Sequence, residues 1–190
     1  VESRLIVIGA SLGGMTALKV LLQGLAQAFP IPIAIAQHRH KDSQDQMIEF
    51  LQRHTSLSVK EVEDKDRIAS GYVYLAPADY HLLVEADHFA LSTDEPVSYA
   101  RPSIDVLFES AADVYRERTI GIILTGANQD GAAGSAAVKA RGGLVMVQDP
   151  KSAQSPVMPQ AAIARTSVDG VLSLQAIAHK LNQFAHKNSA

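Results

Sequence analysis

The chain has 190 residues, 47% of them hydrophobic, a formal net charge of −3 and no cysteine, and its isoelectric point lies near 6.2. That length fits one domain, residues 1–190, which buries about 70% of the surface its unfolded chain exposes. Disulfides, thiolate metal sites and a cysteine nucleophile are excluded; the charge balance gives no reason to expect nucleic acid, and no apolar run nears the ~20 residues of a membrane span, so a soluble, cytoplasmic chain with no membrane insertion is expected.

Residues 4–9, RLIVIG, form a short continuous apolar run of the kind that makes a strand buried on both faces. From Gly14 to about Ala28 the apolar spacing turns helical. A second strand is predicted over residues 31–38, followed by a helix over residues 43–54 with Met47, Phe50 and Leu51 on one side. Residues 71–93 hold short strand-like pieces separated by turn residues, which predicts an antiparallel hairpin insert at an edge of the sheet. Next comes a helix after RPSID with Ser103 as its N-cap. A third apolar strand, residues 119–126, leads into a small-residue helix over residues 130–143. A fourth strand covers residues 144–149, and an amphipathic helix covers residues 174–184. Strands alternating with helices predict a parallel sheet covered on both faces, and the fold class is α/β.

The corner Gly9-Ala10-Ser11-Leu12-Gly13-Gly14 joins the first strand to its helix. A P-loop is disfavoured by Met15, which stands where the phosphate-reaching lysine belongs. A dinucleotide fingerprint is weakened because Ser11 replaces the middle glycine, and because the second strand ends in His38 rather than an acid. The G-x-S-x-G pattern of a nucleophile elbow is met in full. The competing structural role for Ser11 is to cap the helix it precedes.

A serine nucleophile needs a base, most often a histidine oriented by a carboxylate. In an open parallel sheet ligands bind beyond the carboxyl ends of the strands, and there the sequence places Ser11, His38, Asp130 and Asp149. The choice between the two aspartates stays open on this argument. Asp130 also reads as the N-cap of the helix that follows it. His38 and His40 form a possible metal pair for which spacing supplies no third ligand, so no metal and no cofactor are expected. His81 and His88 read as polar-face residues of the insert, with His81 within reach of the strand-end face.

The motifs GASLGG, QH, YLAPADYH, RPSID, LTGANQDGAAG and MPQAAI, in this order over almost the whole chain, resemble the catalytic domain of the chemotaxis protein-glutamate methylesterases, the CheB family. The resemblance implies a three-layer, doubly wound, mostly parallel sheet with an antiparallel hairpin. It implies a catalytic triad of Ser11, His38 and Asp130, and demethylation of glutamate methyl esters, with deamidation of glutamines a further activity of the family. The implied partners are the cytoplasmic helical region of methyl-accepting chemoreceptors and a receiver domain, which residues 1–190 do not contain. Leu12, Gly13, Ala127, Asn128 and Arg101 are the substrate-binding or oxyanion-loop candidates. Departures from the family pattern fall at Leu12, Arg39-His40 and Ala127-Asn128. The alternatives are a non-catalytic receptor-binding module of the same fold and a nucleotide-binding protein using the Gly9 to Gly14 loop.

Overall fold

A computed structural model describes residues 4–39 and 46–187. Its main sheet has seven strands in the order β3-β4-β2-β1-β7-β8-β9: β1 (Leu5–Ala10), β2 (Ile33–Gln37), β3 (Ser58–Glu61), β4 (Tyr72–Leu75), β7 (Thr119–Ile123), β8 (Leu144–Gln148) and β9 (Gly170–Leu172). Every neighbouring pair is parallel. The helices are α1 (Gly14–Gln23), α2 (Gln46–Gln52), α3 (Ile104–Tyr115), α4 (Ala132–Ala140), α5 (Val157–Arg165) and α6 (Leu174–Lys187).

Successive side chains of a strand point to opposite faces, and β1 divides accordingly. Ile6 and Ile8 pack into one core with Leu18, Leu21 and Leu22 of α1, Leu51 of α2 and Leu181 of α6. Leu5 and Val7 pack into the other with Ile104, Leu107 and Phe108 of α3, Val138 of α4 and Met158 of α5. Three layers follow from this: α1, α2 and α6 on one face, the sheet, and α3, α4 and α5 on the other. From β1 the chain steps one way to β2 and the other way to β7, so the carboxyl ends of β2, β1 and β7 flank the point where the strand order reverses.

The insert is smaller than residues 71–93. Tyr72–Leu75 is a strand of the main sheet, between β3 and β2. Only β5 (His81–Val84) and β6 (Phe89–Ser92) pair antiparallel, as a separate two-stranded sheet. This ribbon does not extend a sheet edge. Leu82, Val84 and Phe89 join the core beneath α3, and the Phe89 ring lies 4.9 Å from that of Tyr74 on β4. Strands β3 and β9 and helix α5 were not expected, and α1 ends at Gln23 with Gly24 as its C-cap. Residues 43–45 of the expected second helix lie outside the described residues.

Helices α3 and α4 meet at close range because residue 134 carries no side chain. A Cβ there would lie 2.6 Å from Phe108 Cβ and 3.1 Å from Asp105 Cα. Alanine improves helix propensity by about 1 kcal/mol, yet overpacking costs about 1–3 kcal/mol. Gly134→Ala should therefore lower the urea midpoint, and an unchanged or raised midpoint would show that the two helices are free to separate.

Candidate active site

Ser11 follows β1, His38 follows β2, and Asp130 ends the loop between β7 and α4. Ser11 and His38 line one cleft of about 510 Å³, together with Asn128, Asp79, Tyr99 and Arg101. His38 Nε2 lies 2.7 Å from Asp130 Oδ2. Asp149 instead accepts from the Lys151 amide in the turn after β8. Of the two acids, Asp130 is therefore the one in contact with His38.

The Asp130 carboxylate is buried, at 1% residue exposure, and every polar neighbour donates to it. Oδ2 accepts from His38 and from the Ile104 amide at 2.7 Å. Oδ1 accepts from the Asp105 amide at 2.9 Å and the Ser103 hydroxyl at 3.0 Å. Ile104 and Asp105 are the first residues of α3, so Asp130 sits on that helix's unpaired amides and at the positive end of its dipole. Burial pushes its carboxyl up, but the bonds from His38 and from these two amides more than offset that and hold it below the ordinary carboxylate range.

Asp130 is therefore not the N-cap of α4, contrary to expectation. Gly131, with φ at 96°, holds that position, and Asp105 does the capping, its Oδ1 accepting from Gly131 at 2.9 Å and Gly134 at 2.7 Å. The two helices thus exchange caps: the acid before α4 holds α3, and the acid in the first turn of α3 holds α4. Ser103 is the N-cap of α3, as expected.

The serine corner also differs from a strained elbow. The left-handed residue is Gly13, with φ at 81°, which stands at the N-cap of α1. Ser11 makes no side-chain cap, and among the described residues its hydroxyl has no hydrogen bond. The corner is held from outside: the Ser11 amide donates to the Thr125 carbonyl at 2.9 Å, and the Thr125 hydroxyl donates to the Leu12 carbonyl at 2.8 Å. Gln37, buried at the end of β2, donates from Nε2 to the carbonyls of Ser11 at 2.9 Å and His38 at 3.0 Å. That amide ties the nucleophile candidate to the base candidate.

A Cβ at Gly13 would meet Gln154 at 2.7 Å, and one at Gly14 would meet Gln37 Oε1 at 1.9 Å, so the packing of Gln154 and Gln37 requires glycine at both positions.

The other candidates divide. Leu12 is exposed, and the Leu12 and Gly13 amides make no hydrogen bond among the described residues. Ala127 is exposed on the β7–α4 loop. Asn128 touches His38 directly, its Nδ2 lying 3.1 Å from Nδ1. Arg101 lines the cleft, but its guanidinium bonds Asp79 Oδ1 at 2.7 Å and the carbonyls of Thr93 and Asp94; it clamps the 93–101 loop rather than reaching into the cleft. Both ring nitrogens of His38 are occupied, by Asp130 and Asn128, and His40 lies outside the described residues. His81 is not a polar-face residue: it is buried, donating from Nε2 to the Glu95 carbonyl and accepting the Ser103 amide at Nδ1. His88, half-exposed, bonds Asp87.

Sequence reasoning missed Gln37, Thr125 and Asp105 as positioning groups. The available signal was a polar residue at the end of a buried strand or in the first turn of a buried helix. It also missed Tyr99, which is fully exposed at the cleft rim. Ser98 and Tyr99 both have positive φ, 50° and 64°, in a tight turn closed by mutual hydrogen bonds between Val97 and Ala100.

A histidine and a buried carboxylate beyond the carboxyl ends of β2 and β7, the two strands that flank β1, with the serine that follows β1 in the same cleft, form an arrangement suited to acyl transfer on a doubly wound sheet. Comparison with known proteins places the chain more narrowly. Residues 6–181 match the family model for the CheB methylesterase, and the chain belongs to that family. It is 51% identical over 174 residues to a Leptospira interrogans relative, covering 91% of this chain and 90% of the relative. It is 40% identical to protein-glutamate methylesterase/protein-glutamine glutaminase 1 of Carboxydothermus hydrogenoformans, over 94% of this chain but 54% of that protein. The crystal structure of the Thermotoga maritima CheB methylesterase catalytic domain superposes with a TM-score of 0.93 at 34% identity, covering 97% of this chain and all of that one.

Asp105 carries a testable electrostatic cost. Burial first, and then the Asp130 charge, push its carboxyl up to about 6, against the Gly134 and Gly131 amides, which pull it down. A raised folded value means that the stability Asp105 contributes is greatest at low pH, below its ordinary 3.8, and is lost as pH rises through about 6. Asp105→Asn keeps an acceptor for both amides and removes the charge. It should raise Tm by several degrees at pH 7.5, given roughly 2–4 °C per kcal/mol for a chain of this size, with the gain shrinking towards pH 5. A lower Tm at pH 7.5 would mean that the ionised carboxylate is the better cap.

Proposed function

We propose that the chain is a serine hydrolase that demethylates glutamate methyl esters on bacterial chemoreceptors, releasing methanol. The observation that carries this reading is the 2.7 Å contact between His38 Nε2 and a buried, fully hydrogen-bonded Asp130, in a cleft that Ser11 also lines. Asp130 accepts Nε2–H, which leaves the Nδ1 lone pair facing the cleft as the base. Ser11 Oγ gives its proton to Nδ1 and attacks the ester carbonyl; Asp130 stabilises the imidazolium. The oxyanion of the tetrahedral intermediate falls to the Leu12 and Gly13 amides, donors of a kind worth about 10²- to 10³-fold in rate. Nδ1–H protonates the departing methoxide, and water then cleaves the acyl-serine by the same transfers. A glutamine side chain entering the same steps would release ammonia.

Family membership supports chemoreceptors as the partner, and the cytoplasmic helical region of a receptor is the segment we assign to the cleft. The exposed Leu12 and Tyr99 give a protein substrate apolar surface on which to rest. No helix among the described residues is long and apolar enough to cross a membrane, and we place the chain in the cytoplasm, where such a segment would be met.

The test compares methanol release from enzymatically methylated receptor fragments by the chain and by Ser11→Ala. Ser11→Ala should lose at least 10³-fold in kcat while its unfolding free energy stays within about 0.5 kcal/mol, because the hydroxyl holds nothing in the fold. Substantial residual activity in Ser11→Ala would remove Ser11 from the mechanism. Receptor binding by both proteins without methanol release would favour the non-catalytic binding module.

A further inference from the structure

The geometry points to Asn128 as a positioning residue for the general base, one that selects the His38 tautomer and holds the Nδ1 lone pair until Ser11 takes its place; this rests on the esterase reading above. Two contacts orient its amide. Oδ1 accepts the Asp130 amide at 3.1 Å, an acceptor-only role that turns the Nδ2 donor towards His38 Nδ1, 3.1 Å away. A donor at Nδ1 requires a lone pair there, and the Asp130 carboxylate at Nε2 requires a proton there. The two partners demand the same neutral tautomer from opposite sides of the ring. Asn128 and Asp130 stand two residues apart in one loop, so a single backbone turn sets both ends of the imidazole.

The nitrogen that Asn128 holds is the one that must receive the Ser11 proton, and among the described residues the Ser11 hydroxyl has no hydrogen bond. In the resting site the base therefore rests on the asparagine. Entry of substrate lets the Ser11 hydroxyl replace one neutral donor with another, an exchange of little net cost. A charged donor at this position would hold the lone pair too strongly, and a carboxylate would reverse the demand and call for a proton on Nδ1.

That reversal gives the test. Asn128→Asp preserves the acceptor for the Asp130 amide and changes only the group facing Nδ1. If Asn128 merely shapes the loop, aspartate serves as well and alanine does not. Under the proposal, Asn128→Asp places the ring between two carboxylates and keeps it as imidazolium near neutral pH. The acid limb of kcat/KM should then move up by about 1–3 pH units, kcat at pH 7 should fall at least tenfold, and KM should stay within about twofold. The other charges around the ring are present in both proteins: Asp105 behind Asp130, Arg39 paired with Glu61, and Asp79 paired with Arg101 across the cleft.

The direct readout is the two-bond proton–nitrogen correlation of the His38 ring at pH 7.5, assigned by loss of its signals in His38→Gln. Wild type should show Nε2 protonated and Nδ1 as an imine nitrogen, and Asn128→Asp should show both as imidazolium. Should the aspartate variant fail to fold, Asn128→Ala decides: the Nδ1 resonance should move downfield as it loses its donor. Unchanged ring resonances in either folded variant would overturn the proposal. The resonances do not depend on turnover, so absence of methanol in every protein would count against the esterase reading alone.

Discussion

One carboxylate, that of Asp130, joins the fold to the chemistry. It is almost fully buried and accepts from two backbone amides, a serine hydroxyl and an imidazole. A bare ionised carboxylate in such a place would carry a prohibitive desolvation cost; here the amides of α3 satisfy it, and in return the helix gains its anion. The same contacts leave the carboxylate little freedom, so the imidazole that it holds is fixed as well.

The reciprocal caps extend this constraint. Asp105 does for α4 what Asp130 does for α3, and the close approach at Gly134 brings the two helix starts within reach of each other. On the far side of the imidazole, Gln37 and Thr125 bind the serine corner to the ends of β2 and β7. Nucleophile, base and acid candidates thus sit on three adjacent strands whose register is set by the sheet, and each is braced by a side chain of a neighbouring element. Rigid support of this kind is what acyl transfer needs from a scaffold.

Much of this was legible from the sequence because it is written locally. Continuous apolar runs marked β1, β2, β7 and β8, and the polar residues after the runs pointed to Ser11, His38 and two aspartates, Asp130 and Asp149, between which only the family resemblance chose. What escaped is written non-locally. Tyr72–Leu75 reads as part of a hairpin because the chain reverses soon after it, and only the pairing with Ile33 to Ile35 of β2 reveals a parallel strand. The edge strands β3 and β9 are four and three residues long and incompletely buried, too short for periodicity to speak. Asp130 looked like the cap of the next helix, the usual role of an aspartate before a small-residue run; its actual helix begins 26 residues earlier. The serine pattern matched an elbow, but the turn that the glycines permit occurs two residues later, at Gly13.

The central claim is that one carboxylate serves both the start of α3 and the imidazole, and Asp130→Asn tests it most directly. An amide there must present a donor to at least one group that is itself a donor. Measured together, unfolding free energy should fall by about 2 kcal/mol or more and methanol release should fall by at least 10³-fold. A variant as stable as wild type that loses only activity would contradict the account, since it would separate the helix cap from the orientation of His38.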